Sequence, residues 1–428
     1  RQSLPSKRDR LILLIFLLLF FATALWMVIR LPAQATPNEM LHFEYVQLLR
    51  QTRNLPQAGL ANTEERLTEL HQPPLYYGFA ALTGIFEPVP SATTRPPVPL
   101  EWPKNPAFLG THKGNLTPVV HVTPQNTPIL YASRMATLFI SILGLAAFYR
   151  AGAQLYSPAT GLLMMSLLAF QPNYLHLSGS VNNDAPLTAV SAIVLSYTLL
   201  IIANDKNPHW YFGLGLLCAL AVLTKASGLF LTVYIAAACI ILYFQPRDLR
   251  RAIFSGLYAL AGLVPFWLGW LAINAARQMD ALGVANSLPV DRLLALTPGD
   301  FLLLIPWMDD IWRSFILDWS AGGVGYARDW FYIYWSALLT IAFLGWLRRP
   351  QKGSQRHLAA IVLPGIVTIL LLYFAVKALT VKEAGYLVPE SRWWLPAMPG
   401  IAWLAAVGFS RWWPEAGREK TVQLAAFI

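Results

Sequence analysis

Apolar residues fall in repeated runs of about twenty, separated by short stretches that are polar, basic or rich in proline. A helix rises about 1.5 Å per residue, so a run of that length crosses the roughly 30 Å hydrocarbon core of a bilayer. Lipid leaves a chain only helices or closed barrels, and runs this long predict helices. Ten spans are predicted, at about 11–30, 131–150, 159–178, 185–203, 209–224, 226–244, 252–274, 329–347, 357–378 and 393–411. The first run is too long for the core of a signal peptide and lacks a small-residue cleavage site, so it is expected to remain as a span.

Basic residues set the direction of threading. With the N-terminus in the cytoplasm, Lys7, Arg8, Arg10, Arg150, Lys206, Arg247, Arg250, Arg251, Arg348, Arg349, Lys352, Arg356, Arg411, Arg418 and Lys420 all lie inside. Of the 22 acids, only Asp9, Asp205, Asp248, Glu415 and Glu419 share that side. This inside-positive bias holds only if 76–86 does not cross. At about a dozen apolar residues that segment is too short to span, and is expected to lie as a helix at the outer interface. Three segments then face outward: 31–130, which contains the irregular Arg95-Pro96-Pro97-Val98-Pro99 tract; 275–328; and the short 377–392. No internal repeat or separate soluble domain is evident, so 1–428 reads as one all-α polytopic membrane domain.

Composition agrees. Hydrophobic residues make up 56% of the 428 and charged residues 13%, with a mean hydropathy of +0.47, about half the charged fraction of a soluble protein. The net charge of +10 reflects topology rather than nucleic-acid binding. Cys218 and Cys239 lie within apolar runs, which excludes a disulfide framework or a zinc array.

The threading brings Asn38, Glu39, His42, His71, Asn182, Asn183, Asp184, Lys225, Glu390 and Arg392 to the outer boundary from loops far apart in sequence, as a shared polar cavity would require. Glu39 and His42 are three apart and share a helix face. Glu39 either serves a site or favours the helix dipole in a first turn. His42 and His71 can bind a metal or phosphate, or make ordinary hydrogen bonds. Pro73 and Pro74 fix a helix start whose free N–H groups suit an anion. Asp184 closes an Asn-Asn-Asp loop before Pro186, as an N-cap would, and a cap is compatible with a site role. Lys225 interrupts an apolar stretch and either snorkels or faces a phosphate. Arg392 offers a rigid pair of donors for phosphate, and Arg134 is a weaker candidate of the same kind.

Several strings resemble membrane glycosyltransferases of the GT-C type, in the subgroup that includes protein mannosyltransferases and lipid A aminoarabinose transferases. They are Pro37-Asn38-Glu39-Met40-Leu41-His42, His71-Gln72-Pro73-Pro74-Leu75-Tyr76-Tyr77, Asn182-Asn183-Asp184, Leu223-Thr224-Lys225-Ala226-Ser227-Gly228 and Arg392-Trp393-Trp394-Leu395-Pro396. The resemblance covers nearly the whole chain in order. It implies a GT-C fold with about ten transmembrane helices and juxtamembrane helices in the first outer loop. It also implies a polyprenyl-phosphate-linked sugar as donor and a glycan, lipid or protein acceptor. Transfer would invert the anomeric centre, on the outer face of a prokaryotic plasma membrane.

The resemblance gives the base role to the first acid of an Asp-Glu pair. Asn38 stands there and cannot take a proton. Either Glu39 is the base, which is the expectation, or a turned helix gives the role to another acid, or catalysis is lost. Asp184 is expected beside the donor phosphate. A divalent cation, magnesium or manganese, would be held by Glu39 and Asp184. Arg392, Lys225, His71, His42 and Arg134 are the expected substrate contacts. Two rival readings are a transporter for lipid-linked substrates, which would carry ionisable groups near mid-span rather than at span ends as here, and a relative that binds the carrier without transfer, which Asn38 keeps open.

Overall fold

The computed structural model describes residues 7–31, 36, 38–56, 69–85, 127–244, 248–279, 290–316, 329–348, 353–385, 387 and 391–412. Within them the apolar runs are helices, and seven are long and apolar enough to cross a membrane. They are α1 (Lys7–Arg30), α4 (Thr127–Leu155), α7 (Asp184–Ala203), α9 (Val233–Phe244) with the 3-10 turns Ala226–Thr232 before it, α10 (Leu249–Ala276), α13 (Asp329–Arg348) and α14 (Gly353–Ala384). Between α1 and α4 lie α2 (Glu39–Thr52) and α3 (Leu75–Thr83). The nine residues of α3 are too few to span, as expected for 76–86.

Three expected spans are not single helices of spanning length. The run 159–178 divides into α5 (Pro158–Ala169) and α6 (Pro172–Ser178). Proline has no N–H and disfavours helical geometry in the residue before it. Gln171 is accordingly extended, and its side chain accepts from the Tyr174 N–H at 2.6 Å and donates to the Phe315 carbonyl at 2.7 Å. The run 209–224 is a 3-10 turn, Pro208–Trp210, followed by α8 (Tyr211–Thr224). The run 393–411 is a 3-10 helix, Ser391–Ala397, followed by α15 (Met398–Ser410). Helices of this length reach only about 20 Å. Conversely, α14 continues past the expected end of its span. Lys377, expected at the edge of the third outer segment, lies inside that helix, buried, with its Nζ 4.9 Å from the centre of the Trp393 ring.

Small residues let the helices approach closely, as in other lipid-embedded bundles. On α4, a Cβ added at Gly144 would stand 2.6 Å from the Ala189 Cα of α7. One large apolar core joins α1, α4, α5, α7, α8, α9, α14 and α15. A smaller one gathers Met40, Phe43, Tyr45, Tyr76, Tyr77, Ile129 and Leu130, and so docks α2 and α3 on the start of α4. Outside the bundle, Leu11, Leu14 and Leu18 on α1, Leu257 and Leu260 on α10, and Ile333 and Leu347 on α13 are exposed. Apolar surface on this scale has lipid as its natural solvent. The chain is a multi-pass membrane protein. The segment 275–328, expected to face outward, carries α11 (Val290–Leu294), a 3-10 stretch Pro298–Trp307 and α12 (Met308–Ile316).

Candidate active site

α2 begins at Glu39 because Asn38 takes a left-handed backbone, φ 57° and ψ 9°, which asparagine tolerates better than most residues. The side chain of Asn38 does not cap the helix. Its Nδ2 donates instead to Glu69 Oε1 at 2.9 Å. Gln72 Nε2 donates to Glu69 Oε2 at 2.9 Å and lies 3.2 Å from His71 Nε2. His42, one turn into α2, pairs its Nδ1 with the Tyr77 hydroxyl at 2.7 Å.

Glu39 departs from the expectation of a carboxylate open to a cavity. It is 1% exposed and is gripped from two sides. Arg134 Nε donates to its Oε1 at 2.7 Å and Nη2 to its Oε2 at 2.6 Å, while the Val181 N–H donates to Oε1 at 2.8 Å. Arg134 Nη1 in turn holds the Val28 and Leu31 carbonyls at 2.7 and 2.9 Å. This ion pair ties together the end of α1, the start of α2, α4 and the loop before α7. The reason is electrostatic: a charge removed from water needs a close partner and filled hydrogen bonds.

Asp184 opens α7. Asn183 is the N-cap and its side chain makes no cap hydrogen bond, while Asn182, one residue earlier, accepts the Ala185 N–H on its Oδ1 at 2.9 Å. The Asp184 carboxylate is thereby released to meet Lys225 Nζ at 2.5 Å and to stand 4.0 Å from Arg392 Nε. Lys225 sits where α8 gives way to 3-10 turns, with extended φ −156°. Gly228 closes that turn with its N–H on the Lys225 carbonyl at 2.8 Å, and any Cβ there would press on the Ala221–Val222 backbone. Arg392 lies on the 3-10 helix before α15, which is pinned to α7 by a hydrogen bond from the Ser191 hydroxyl to the Pro396 carbonyl at 2.6 Å. Asn183 is fully buried, and its carboxamide has no hydrogen-bond partner among the described residues. Glu390 lies outside the described residues.

One end of the bundle thus brings together Asn38, His42, Glu69, Asp184, Lys225 and Arg392. Their fields overlap. Burial holds the His42 pKa down at about 4, opposed by Glu69 and Asp184 and assisted by Arg392 and Lys225. Burial by itself would raise Glu69, but His42, His71, Lys225 and Arg392 hold it at about 2. Glu69 has no family string of its own. The only local signal is its place two residues before His71. The segment it belongs to is fastened by Arg277, which donates to the Pro56 and Leu70 carbonyls at 2.5 and 3.0 Å.

Among the described residues, no three His, Cys, Asp or Glu side chains converge as a metal site would require. Glu39 is bound up with Arg134, and Asp184 with Lys225. A divalent cation shared by Glu39 and Asp184 does not fit that pairing.

Comparison with solved structures finds similarity to ArnT from Cupriavidus metallidurans, both in the apo state and bound to undecaprenyl phosphate. Identity is 12%, the TM-scores are 0.41 and 0.42, and each alignment covers 92% of this chain and 76% of that one. The chain is also similar to the Archaeoglobus fulgidus oligosaccharyltransferase, at 11% identity and a TM-score of 0.45, over 97% of this chain and 54% of that one. No curated protein sequence matches. Residues 130–270 match the family model described as dolichyl-phosphate-mannose-protein mannosyltransferase. That match spans about a third of the chain, from α4 into α10.

Proposed function

We propose that this chain transfers a sugar from a polyprenyl-phosphate carrier to a hydroxyl-bearing acceptor at the outer membrane surface, in one inverting displacement. The observation that carries the reading is the meeting of Lys225 and Arg392 on one carboxylate, Asp184. Two cationic side chains converge there, and both suit the phosphate of a lipid whose tail lies between the helices. Arg392 supplies paired, planar donors and Lys225 a point charge. His42 and His71 border the same place. Outward orientation is supported by the basic residues at the opposite span ends.

In this reading Glu39 and Arg134 hold the architecture and touch no substrate. The phosphate leaves with the electron pair of the bond to the sugar carbon, while the acceptor oxygen attacks from the other face. Stabilising the departing charge is then the task of Lys225 and Arg392.

The test uses purified protein in liposomes with a panel of undecaprenyl-phosphate sugars, with release of undecaprenyl phosphate measured. Release with at least one donor is expected. Affinity for undecaprenyl phosphate should fall in Arg392→Lys and Lys225→Ala by roughly the 1.5–3 kcal/mol of a charge-assisted hydrogen bond. Unchanged affinity in both variants removes these residues from the site, and no release with any donor refutes the reaction. A second reading, carrier binding without transfer, rests on Asn38. Firm binding of undecaprenyl phosphate by a wild type that releases none would favour it.

A further inference from the structure

Among the described residues of this site, three carboxylates differ in their partners. Glu39 is locked on Arg134, and Asp184 is paired with Lys225. Glu69 has no ion pair among the described residues. Its two oxygens each accept one hydrogen bond from a neutral amide, Asn38 Nδ2 and Gln72 Nε2. A carboxylate has about four acceptor sites, so two such bonds fix its orientation and leave capacity for a further proton donor. Glu69 is only partly buried, unlike Glu39 and Asp184. It is therefore the one of the three that is held by neutral amides and only partly buried.

Resting on the donor reading above, we propose that Glu69 is the catalytic base that takes the proton of the acceptor hydroxyl. In the step, the acceptor O–H bond breaks and its proton passes to the Glu69 carboxylate. The oxygen bonds to the anomeric carbon, and the carbon–oxygen bond to the carrier phosphate breaks with its electron pair leaving on the phosphate. Charge balances, since the carboxylate becomes neutral as the phosphate gains one negative charge beside Lys225 and Arg392.

The same cations explain why the base waits for its donor. Without a phosphate, Lys225 and Arg392 favour the ionised form of Glu69 and make it a weak base, while His42, His71, Asp184 and Tyr77 are the other titratable groups at the site. A phosphate placed between Lys225 and Arg392 cancels their field, so Glu69 gains proton affinity only once the sugar is in place. Asn38 and Gln72 are positioning residues for this carboxylate.

The test compares Glu69→Gln with the exchange variant Asn38→Asp/Glu69→Gln, which swaps acid and amide across the same hydrogen bond. Both are made in the full chain in liposomes, with the donor that serves the wild type, and kcat for undecaprenyl phosphate release is read beside affinity for undecaprenyl phosphate. Glu69→Gln is expected to lose roughly 10²–10⁴-fold in kcat, the usual contribution of a positioned base, with carrier affinity within about threefold. The exchange variant should regain at least about tenfold, and it keeps the hydrogen bond should the single variant fold poorly. Turnover of Glu69→Gln within about threefold of wild type overturns the assignment. So does an exchange variant that folds yet regains nothing. A wild type silent with every donor overturns the donor reading and Glu69 with it, whereas an active wild type beside an active Glu69→Gln overturns Glu69 alone.

Discussion

Replacing Glu39 by glutamine removes one charge from a contact that excludes water. The shape is nearly kept, so the effect is electrostatic. A glutamine carbonyl at Oε1 can still accept from the Val181 N–H and Arg134 Nε, but its amide would turn two hydrogens toward Arg134 Nη2, a donor now 2.6 Å from a carboxylate oxygen. Arg134 cannot lose its proton and cannot reach water, with both side chains at most 1% exposed. Leaving one member of such a pair alone costs about 3–5 kcal/mol. Glu39→Gln is therefore expected to lower the thermal unfolding midpoint in detergent markedly, while the protein that remains folded keeps its turnover. Adding Arg134→Met removes the orphaned charge and should return part of the loss, a coupling of about 0.5–3 kcal/mol. The return is incomplete because the Val28 and Leu31 carbonyls lose their donor. A Glu39→Gln protein as stable as wild type but without turnover would refute this reasoning and make Glu39 the base.

Stability should also depend on pH through His42. Its folded pKa of about 4 lies below the unfolded value of 6.5, so between these the unfolded chain binds the extra proton. Stability is full above pH 6.5 and falls as pH drops toward 4, by up to about 3 kcal/mol from this group, and His42→Gln should flatten that part of a melting-temperature profile. Gly228→Ala, whose methyl group would press on the Ala221–Val222 backbone, should displace Lys225 and weaken undecaprenyl phosphate binding in a titration. Single cysteines at Pro97 and Asn105 should react with an impermeant thiol reagent in whole cells. Protection of both until lysis would reverse the sidedness read from the basic residues.

The helical membrane class is legible from the length of the apolar runs because burial in lipid depends on composition averaged over a span. Helix breaks are less legible. Through Phe170-Gln171-Pro172 the apolar composition hardly falters, yet a missing N–H at Pro172 and a side chain able to cap at Gln171 divide the run. Asp184, Lys225 and Arg392 are visible as polar interruptions at span ends, and the structure brings them together. For Asp184 the sequence allows cap and site together, and in the structure the hydrogen bond to the first turn of α7 comes from Asn182 instead. Arg277 and Glu69 had no pattern to mark them.

Sequence by itself determined that the chain crosses a membrane repeatedly, which residues interrupt the spans, and which span ends gather positive charge, since each depends on the residues of a single segment. Only the tertiary structure decided which charge answers which. Glu39 meets Arg134 across 95 positions of sequence and Asp184 meets Lys225 across 41, while Glu69 is left to the amides of Asn38 and Gln72. An ion pair falls off over a few ångströms, and separation along the chain says nothing about that distance until the helices have packed.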